Sequence, residues 1–203
     1  EVELGRNMAG RLMQFYGVYG DTDLVNYLNQ VGTYVASYGD FQNRRFMFSV
    51  LDSDEINAFA CPGGYILVTL GMVRHARSEA EIAMVLGHEM THVGKRHMLR
   101  TLKNMGEKKQ EKIASSVDKK KNNDPHLLAR KRPDAEKSLA IAVLARYLAG
   151  STGAGFSLLR AAKAGMSVIL ERGLDEKYEY EADADGVTHA VYAGYEPQAL
   201  ISF

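Results

Sequence analysis

Two histidines four residues apart, His88 and His92, with Glu89 beside the first, are the residues of this 203-residue chain best placed to do chemistry. At roughly 100° per residue the pair lie about 40° apart on a helix, one turn above the other, so both imidazoles can reach one metal ion. Glu89 points to the flank of that site. Zinc suits two neutral imidazoles plus a carboxylate, with a fourth position left open for water. Coordination drops the pKa of such a water to about 7, and Glu89 could then take its proton as it attacks a carbonyl. The plainer reading is two hydrogen-bonded core histidines and a surface glutamate. A chance HExxH in a chain this long is an event of roughly one per cent at ordinary residue usage, which favours the metal.

The pattern needs a helix, and its surroundings supply one. Ser78 followed by Glu81 is a capping box, so a helix starts near Glu79. Ile82, Val85, Leu86, Met90 and Val93 recur at spacings of three and four, which gives the helix an apolar face that belongs in a core. The metzincin continuation, HExxHxxGxxH, is not met. It requires glycine at 95 and histidine at 98, where this chain has Lys95 and Met98, with Gly94 and His97 one residue early. On a continuous helix His97 is half a turn out of phase with His88, so it is read as a surface or helix-end histidine.

A third ligand must come from elsewhere. Glu179 and Asp183, four apart in a run of acidic residues and alanines, share one helix face. Glu179 can bind the metal while Asp183 accepts the free N–H of a ligand histidine, that of His88, and fixes its tautomer. Glu181 is the competing ligand, about 200° round the helix from Glu179 and without the partnership to Asp183. Glu176, Glu181 and Asp185 are read as an acidic solvated face. His189, about 80° off the ligand face, is a weaker candidate. Cys61 could serve as a ligand in a cysteine-plus-HExxH site, but a buried, inert thiol fits its neighbours better.

The remaining sequence predicts the elements that position these groups. Residues 2–16 and 22–37 read as amphipathic helices split by Gly17 to Asp23, and are expected to cover the metal helix. Arg45 to Leu51 alternates as a strand does; Asn57 to Cys61 and Tyr65 to Leu70 follow as a pair around Pro62-Gly63-Gly64. The expectation is an α+β fold, mostly helical, with a small and largely antiparallel sheet beside the metal helix. Asn57, Ala58, Phe59 and Ala60 form an edge that could pair with an extended peptide, although an ordinary edge hairpin explains the same residues. The ligand helix follows Gly173 to Asp175, runs to about Ala193 and stops at Gly194.

Between these parts, Thr101 to Lys137 is polar and basic, the composition of a solvated or disordered run. Ser138 to Gly150 and Phe156 to Leu170 read as two short apolar helices carrying Arg146, Arg160 and Lys163. They form a helical hairpin packed on the domain or, alternatively, a peripheral membrane contact through about 138–170 near anionic lipid. The whole, 1–203, is read as a single domain with an inserted region at about 101–172. An apolar content of 46% suffices for one sizeable core. Twenty-five basic residues balance twenty-five acidic ones, which argues against nucleic acid as a partner. One cysteine excludes an internal disulfide, and no apolar run reaches the length of a membrane span. The chain starts at Glu1 with neither methionine nor signal peptide, the pattern of a mature or trimmed fragment.

Three motifs in order, Asn57-Ala58-Phe59-Ala60-Cys61-Pro62-Gly63-Gly64-Tyr65, then His88 to His92, then Glu179 to Gly186, resemble the HtpX-type and CAAX-prenyl-protease-type gluzincins, peptidase family forty-eight. The opening 36 residues are similar to the family's soluble periplasmic BepA-like branch. The likeness spans most of residues 1–100 and 173–200. It implies a minimal gluzincin fold and a zinc endopeptidase of the cell envelope, with one Zn2+ per chain held by His88, His92 and Glu179 and with Glu89 as catalytic base. It also implies polypeptide substrates lying along residues 57–60, a role in protein quality control, and a periplasmic or envelope location, with membrane association as an option. Where the family usually has an arginine three residues before the ligand glutamate, this chain has Glu176. A rival reading from another class is a proteolytically latent binding or assembly factor that clamps unfolded chains in the same cleft.

Overall fold

A computed structural model describes residues 1–41, 43–104 and 174–198. The chain divides into two compact units, Glu1–Met98 with Asp175–Phe203, and Leu99–Leu174. Every element named below lies in the first. Of the second, only helical backbone at 99–104 and Leu174 are described. The basic run beyond 104 and the expected helices at 138–150 and 156–170, with their membrane surface, lie outside the described residues.

The first unit comprises α1 (Val2–Tyr16), α2 (Thr22–Tyr38), β1 (Met47–Leu51), β2 (Ala58–Cys61), β3 (Tyr65–Thr69), α3 (Leu70–His75), α4 (Glu79–Gly94) and α5 (Glu176–Tyr192). This is the expected α+β class, mostly helical with a small sheet. The cap read from sequence at Ser78 is formed, and aspartates cap two further helix starts. The Asp21 carboxylate accepts from the amides of Asp23 and Leu24, the Ser78 hydroxyl from Glu81, and the Asp175 carboxylate from Lys177. At α4 the Glu81 carboxylate reaches one residue further back than a standard capping box and accepts from the Arg77 amide at 2.6 Å.

The sheet is mixed, with strand order β1-β3-β2. β3 pairs antiparallel with β2 through the Pro62–Gly64 turn and parallel with β1, Val50 lying opposite Val68. The three strands alternate in direction along the chain, as hairpin signals predict. The parallel ladder arises because β3 inserts between its predecessors. Thr69 ties the end of β3 to the segment before β2: its hydroxyl donates to the Glu55 carbonyl at 2.6 Å and accepts from the Asn57 amide at 3.0 Å. The same hydroxyl caps α3 by accepting from Met72. The strand expected to run through Leu70 therefore yields its last residue to a helix whose cap was hidden inside an apolar run.

Leu28, Val31 and Val35 of α2, Phe48 and Val50 of β1, Ile66 and Val68 of β3, and Ile82, Leu86, Met90 and Val93 of α4 form one buried core. α4 is thus packed by its apolar stripe as the periodicity predicted. Its other close partner is α5, and there the backbones nearly touch. A Cβ built on Gly186 would lie 2.7 Å from the His88 amide nitrogen, and one on Gly87 would lie 2.8 Å from the Gly186 carbonyl oxygen. Only hydrogen side chains permit this crossing. α4 ends at Gly94; Lys95 and Arg96 form a turn, with Arg96 in the left-handed region at φ 57°, and helical backbone resumes at His97.

Gly186→Ala is expected to destabilise the protein by about 1–3 kcal/mol or more, since the methyl meets backbone that cannot move aside. Gly10→Ala, on an α1 face where a Cβ has no neighbour within 4 Å, should stabilise by about 0.5–1 kcal/mol. Denaturant midpoints of the two variants check the contrast; a neutral Gly186→Ala would contradict the crossing.

Candidate metal centre

α4 presents His88 and His92 on successive turns, and α5, held against it at Gly87 and Gly186, presents Glu179 and Asp183 on successive turns of its own. His88 Nε2 and His92 Nε2 lie 2.9 Å apart, and Glu179 Oε2 lies 3.4 Å from the first and 3.5 Å from the second. Among the described residues these three are the group able to hold a metal ion. A triangle with those sides has a point about 2 Å from every corner, the length of a bond from a divalent metal to imidazole nitrogen or carboxylate oxygen.

The hydrogen bonds behind the rings bear on whether a cation fits. His88 Nδ1 lies 2.8 Å from Asp183 Oδ1. A carboxylate there only accepts, so Nδ1 carries a proton, and Nε2 faces the cluster, where it either holds a second proton or offers a lone pair to a metal. His92 Nδ1 lies 3.0 Å from His97 Nδ1, and His97 Nε2 lies 3.0 Å from Glu181 Oε2. Two imidazole lone pairs and a carboxylate oxygen directed at one point repel each other unless something positive stands between them. Burial alone would pull the His88 imidazolium down. The hydrogen bond to Glu179 and the charges of Glu89, Asp183 and Glu179 outweigh it and carry the pKa up to about 9. Hydrogen bonds from His88 and His92 hold the Glu179 carboxyl far below the usual carboxylate range. Both shifts express the same deficit of positive charge, which a divalent cation fits.

Glu89 is 91% buried, and burial pushes its carboxyl above the ordinary value against the pull of His88 and His92. It opens, with His88 and Asp183, onto a cavity of about 240 Å³ whose apolar walls are Ile56, Ala58, Met72, Met84 and Val85. Asn57 stands at the same cavity, and β2 is an edge strand among the described residues. Ala58, Phe59 and Ala60 are half-buried there and Asn57 is exposed.

Some expectations change. His97, read as a surface or helix-end residue, is fully buried behind His92, with its ring stacked on Tyr178 at 4.4 Å and 17°. The half-turn phase error assumed an unbroken helix, and the turn at Lys95 and Arg96 breaks it. Glu181 and Asp185 are not merely a solvated face. Both bond to Lys95 Nζ at 2.6 Å, and Glu181 also meets His97. Gly94 followed by two cations is a helix-stop signal that could have revealed the break. His189 is buried outside the cluster, edge-on to Phe41 at 4.4 Å, with no hydrogen-bond partner for Nδ1 among the described residues. Cys61 is fully buried in β2 and, among the described residues, belongs to no group able to hold a metal.

Comparison with known proteins gives this geometry a family. Residues 24–203 match the family model described as Peptidase family M48. The chain belongs to that family of metallopeptidases. A beta-barrel assembly-enhancing protease of Escherichia coli (strain K12) is 26% identical over all 203 residues, which cover 36% of that relative. A putative beta-barrel assembly-enhancing protease of Vibrio cholerae serotype O1 is 28% identical over 186 residues, 92% of this chain and 33% of that one. A mitochondrial metalloendopeptidase OMA1 of Arabidopsis thaliana is 43% identical over 49 residues, 24% of this chain and 10% of that protein. The chain spans about a third of the length of the beta-barrel assembly-enhancing relatives. Among the described residues no helix is long and apolar enough to cross a membrane.

The thiol of Cys61 offers a check on the site's interior. Burial, and secondarily the charge of Glu89, pushes its pKa up to about 12. Only the thiolate alkylates, so the native protein should resist iodoacetamide at pH 8 and react fully once unfolded in guanidinium. Rapid native labelling, followed by mass spectrometry, would contradict the buried placement.

Proposed function

We propose that this chain is a zinc-dependent endopeptidase that hydrolyses peptide bonds of envelope proteins, as part of protein quality control in the periplasm or cell envelope. The observation that carries the reading is the convergence of His88 Nε2, His92 Nε2 and Glu179 Oε2 beside a buried Glu89 carboxylate. His88, His92 and Glu179 would hold one Zn2+ per chain, and Asp183 would orient His88. When bound, zinc supplies Lewis-acid polarisation of the scissile carbonyl and a water nucleophile near neutral pH. Glu89 would serve as the base that takes a proton from the attacking water and returns it to the leaving amine. Burial raises its carboxyl pKa, which makes it a better base once ionised.

Asn57, Ala58, Phe59 and Ala60 receive the substrate backbone as an added strand along the β2 edge. The apolar cavity beyond Glu89 and His88 accepts a substrate side chain of aliphatic or aromatic type, with Met72 and Met84 as its lining. An extended backbone is what an unfolded or stalled polypeptide offers and a folded one withholds. That match supports quality control over processing of folded proteins. The names of the two bacterial relatives support an envelope setting, where β-barrel proteins are assembled. The same names favour a second reading, in which the cleft binds a client and aids assembly without cutting it.

Glu89→Gln separates the two. It keeps the shape of the side chain and removes the base, so casein cleavage should fall by about 10²–10⁴-fold while bound zinc, measured by elemental analysis, stays at the wild-type level. Cleavage that persists in Glu89→Gln removes the assigned base. A variant without cleavage that still supports envelope assembly in cells would favour the non-cutting reading.

A further inference from the structure

We propose that His97 is the positioning residue of the metal centre, fixing the tautomer and ring plane of His92 through a chain of hydrogen bonds that ends on Glu181 and Lys95. The inference rests on the metal reading above and adds a residue to it. His97 lies on the side of the His92 ring away from the cluster and acts only through that ring.

The two histidines of α4 are supported differently. Behind His88 stands a carboxylate, Asp183, which only accepts and so leaves no choice of tautomer. Behind His92 stands a second imidazole, and its Nδ1, 3.0 Å from His92 Nδ1, could donate or accept. What decides is the far edge of the His97 ring. There Nε2 lies 3.0 Å from Glu181 Oε2, while Glu181 Oε1 is held by Lys95 Nζ at 2.6 Å. The carboxylate accepts a hydrogen bond from the Nε2–H of His97. A neutral His97 is then bare at Nδ1, accepts the Nδ1–H of His92, and leaves the His92 Nε2 lone pair aimed at His88 Nε2 and Glu179 Oε2.

The position is built rather than incidental. His97 is fully buried, and its ring is stacked at 17° on Tyr178, the residue before Glu179. The α5 turn that delivers the third ligand therefore also clamps the ring behind the second. The left-handed Arg96, at φ 57°, is what brings His97 back toward His92 after α4 has ended. An imidazole also suits the local charge better than another carboxylate. Glu89, Glu179 and Asp183 already surround the cluster, whereas Glu181 stands one ring further out, with Lys95 beside it.

The test uses the whole chain and Zn2+ in competition with a chromophoric chelator, together with the visible spectrum of the Co2+-loaded protein. His97→Phe keeps a ring against Tyr178 and removes both hydrogen bonds; it should weaken Zn2+ binding about 10–100-fold and shift the Co2+ bands. His97→Gln offers a carbonyl to His92 and an amide to Glu181, and should recover most of the affinity and the wild-type spectrum. A purely structural role for His97 would lower the melting temperature of the metal-free protein and leave the affinity and spectrum of the folded fraction alone. Should His97→Phe fail to fold, Glu181→Ala at the partly exposed end of the chain carries the test, with a loss of about tenfold expected. A wild-type protein that takes up Zn2+ while folded His97→Phe or Glu181→Ala binds it equally, with an unchanged Co2+ spectrum, overturns this inference alone. A wild-type protein that takes up no Zn2+ overturns the metal reading and this inference together.

Discussion

The crossing of α4 and α5 at Gly87 and Gly186 is the constraint on which the rest of the structure depends. Side chains four residues apart on one helix can bring two imidazoles to a point, but a third group must come from a second helix at short range. A glutamate side chain is short, so its backbone has to lie within reach of the HExxH face. The contact between Gly186 and the backbone at His88 sets that separation next to the first histidine. From it follow the distances of 3.4 and 3.5 Å to Glu179 and of 2.8 Å to Asp183. A side chain at either glycine would hold the helices apart and open all of these distances at once.

Bringing the helices so close concentrates negative charge, and the fold answers it in two ways. On the solvent side, Lys95 is shared between Glu181 and Asp185 and offsets one of their two negative charges. Inside, no basic side chain approaches Glu89, Glu179 or Asp183 among the described ion pairs except the histidines themselves. Histidine can carry the missing charge as a proton or give up its lone pair to a metal. The high pKa of His88 marks the first state, and the convergence of lone pairs suits the second. A cluster meant only to hold the helices together would be better served by a lysine or arginine paired to the carboxylates.

Much of this arrangement was legible in the sequence, for identifiable reasons. The α4 helix could be read because its cap, its apolar period and its histidine spacing are all local. Glu179 and Asp183 could be paired because a spacing of four survives on any uninterrupted helix, and Gly186 and Ala190 give α5 a small face for close approach to α4. The mixed sheet was not legible, because the pairing of β3 with β1 joins residues eighteen apart in the chain, and no local turn signal records it. His97 was misread for a similar reason. A single left-handed residue reset the helical phase, and phase is all that a sequence offers for judging direction. Glu181 was then undervalued because its partner had been placed on the wrong face.

The strand order has a consequence for the cleft that consecutive pairing would not have. Had β1, β2 and β3 paired in chain order, β2 would lie in the middle with both edges used, and β3 would face outward. Because β3 takes the central place, it becomes the fully buried strand, with Ile66, Leu67 and Val68 almost without exposure. β2 keeps one edge without a strand partner among the described residues, and Asn57 and Ala58 stand with His88 and Glu89 around one cavity. The strand order therefore does for the cleft what the paired glycines do for the ligand cluster. One sets where a backbone can be received, the other where the polar side chains meet it, and neither touches the reacting groups.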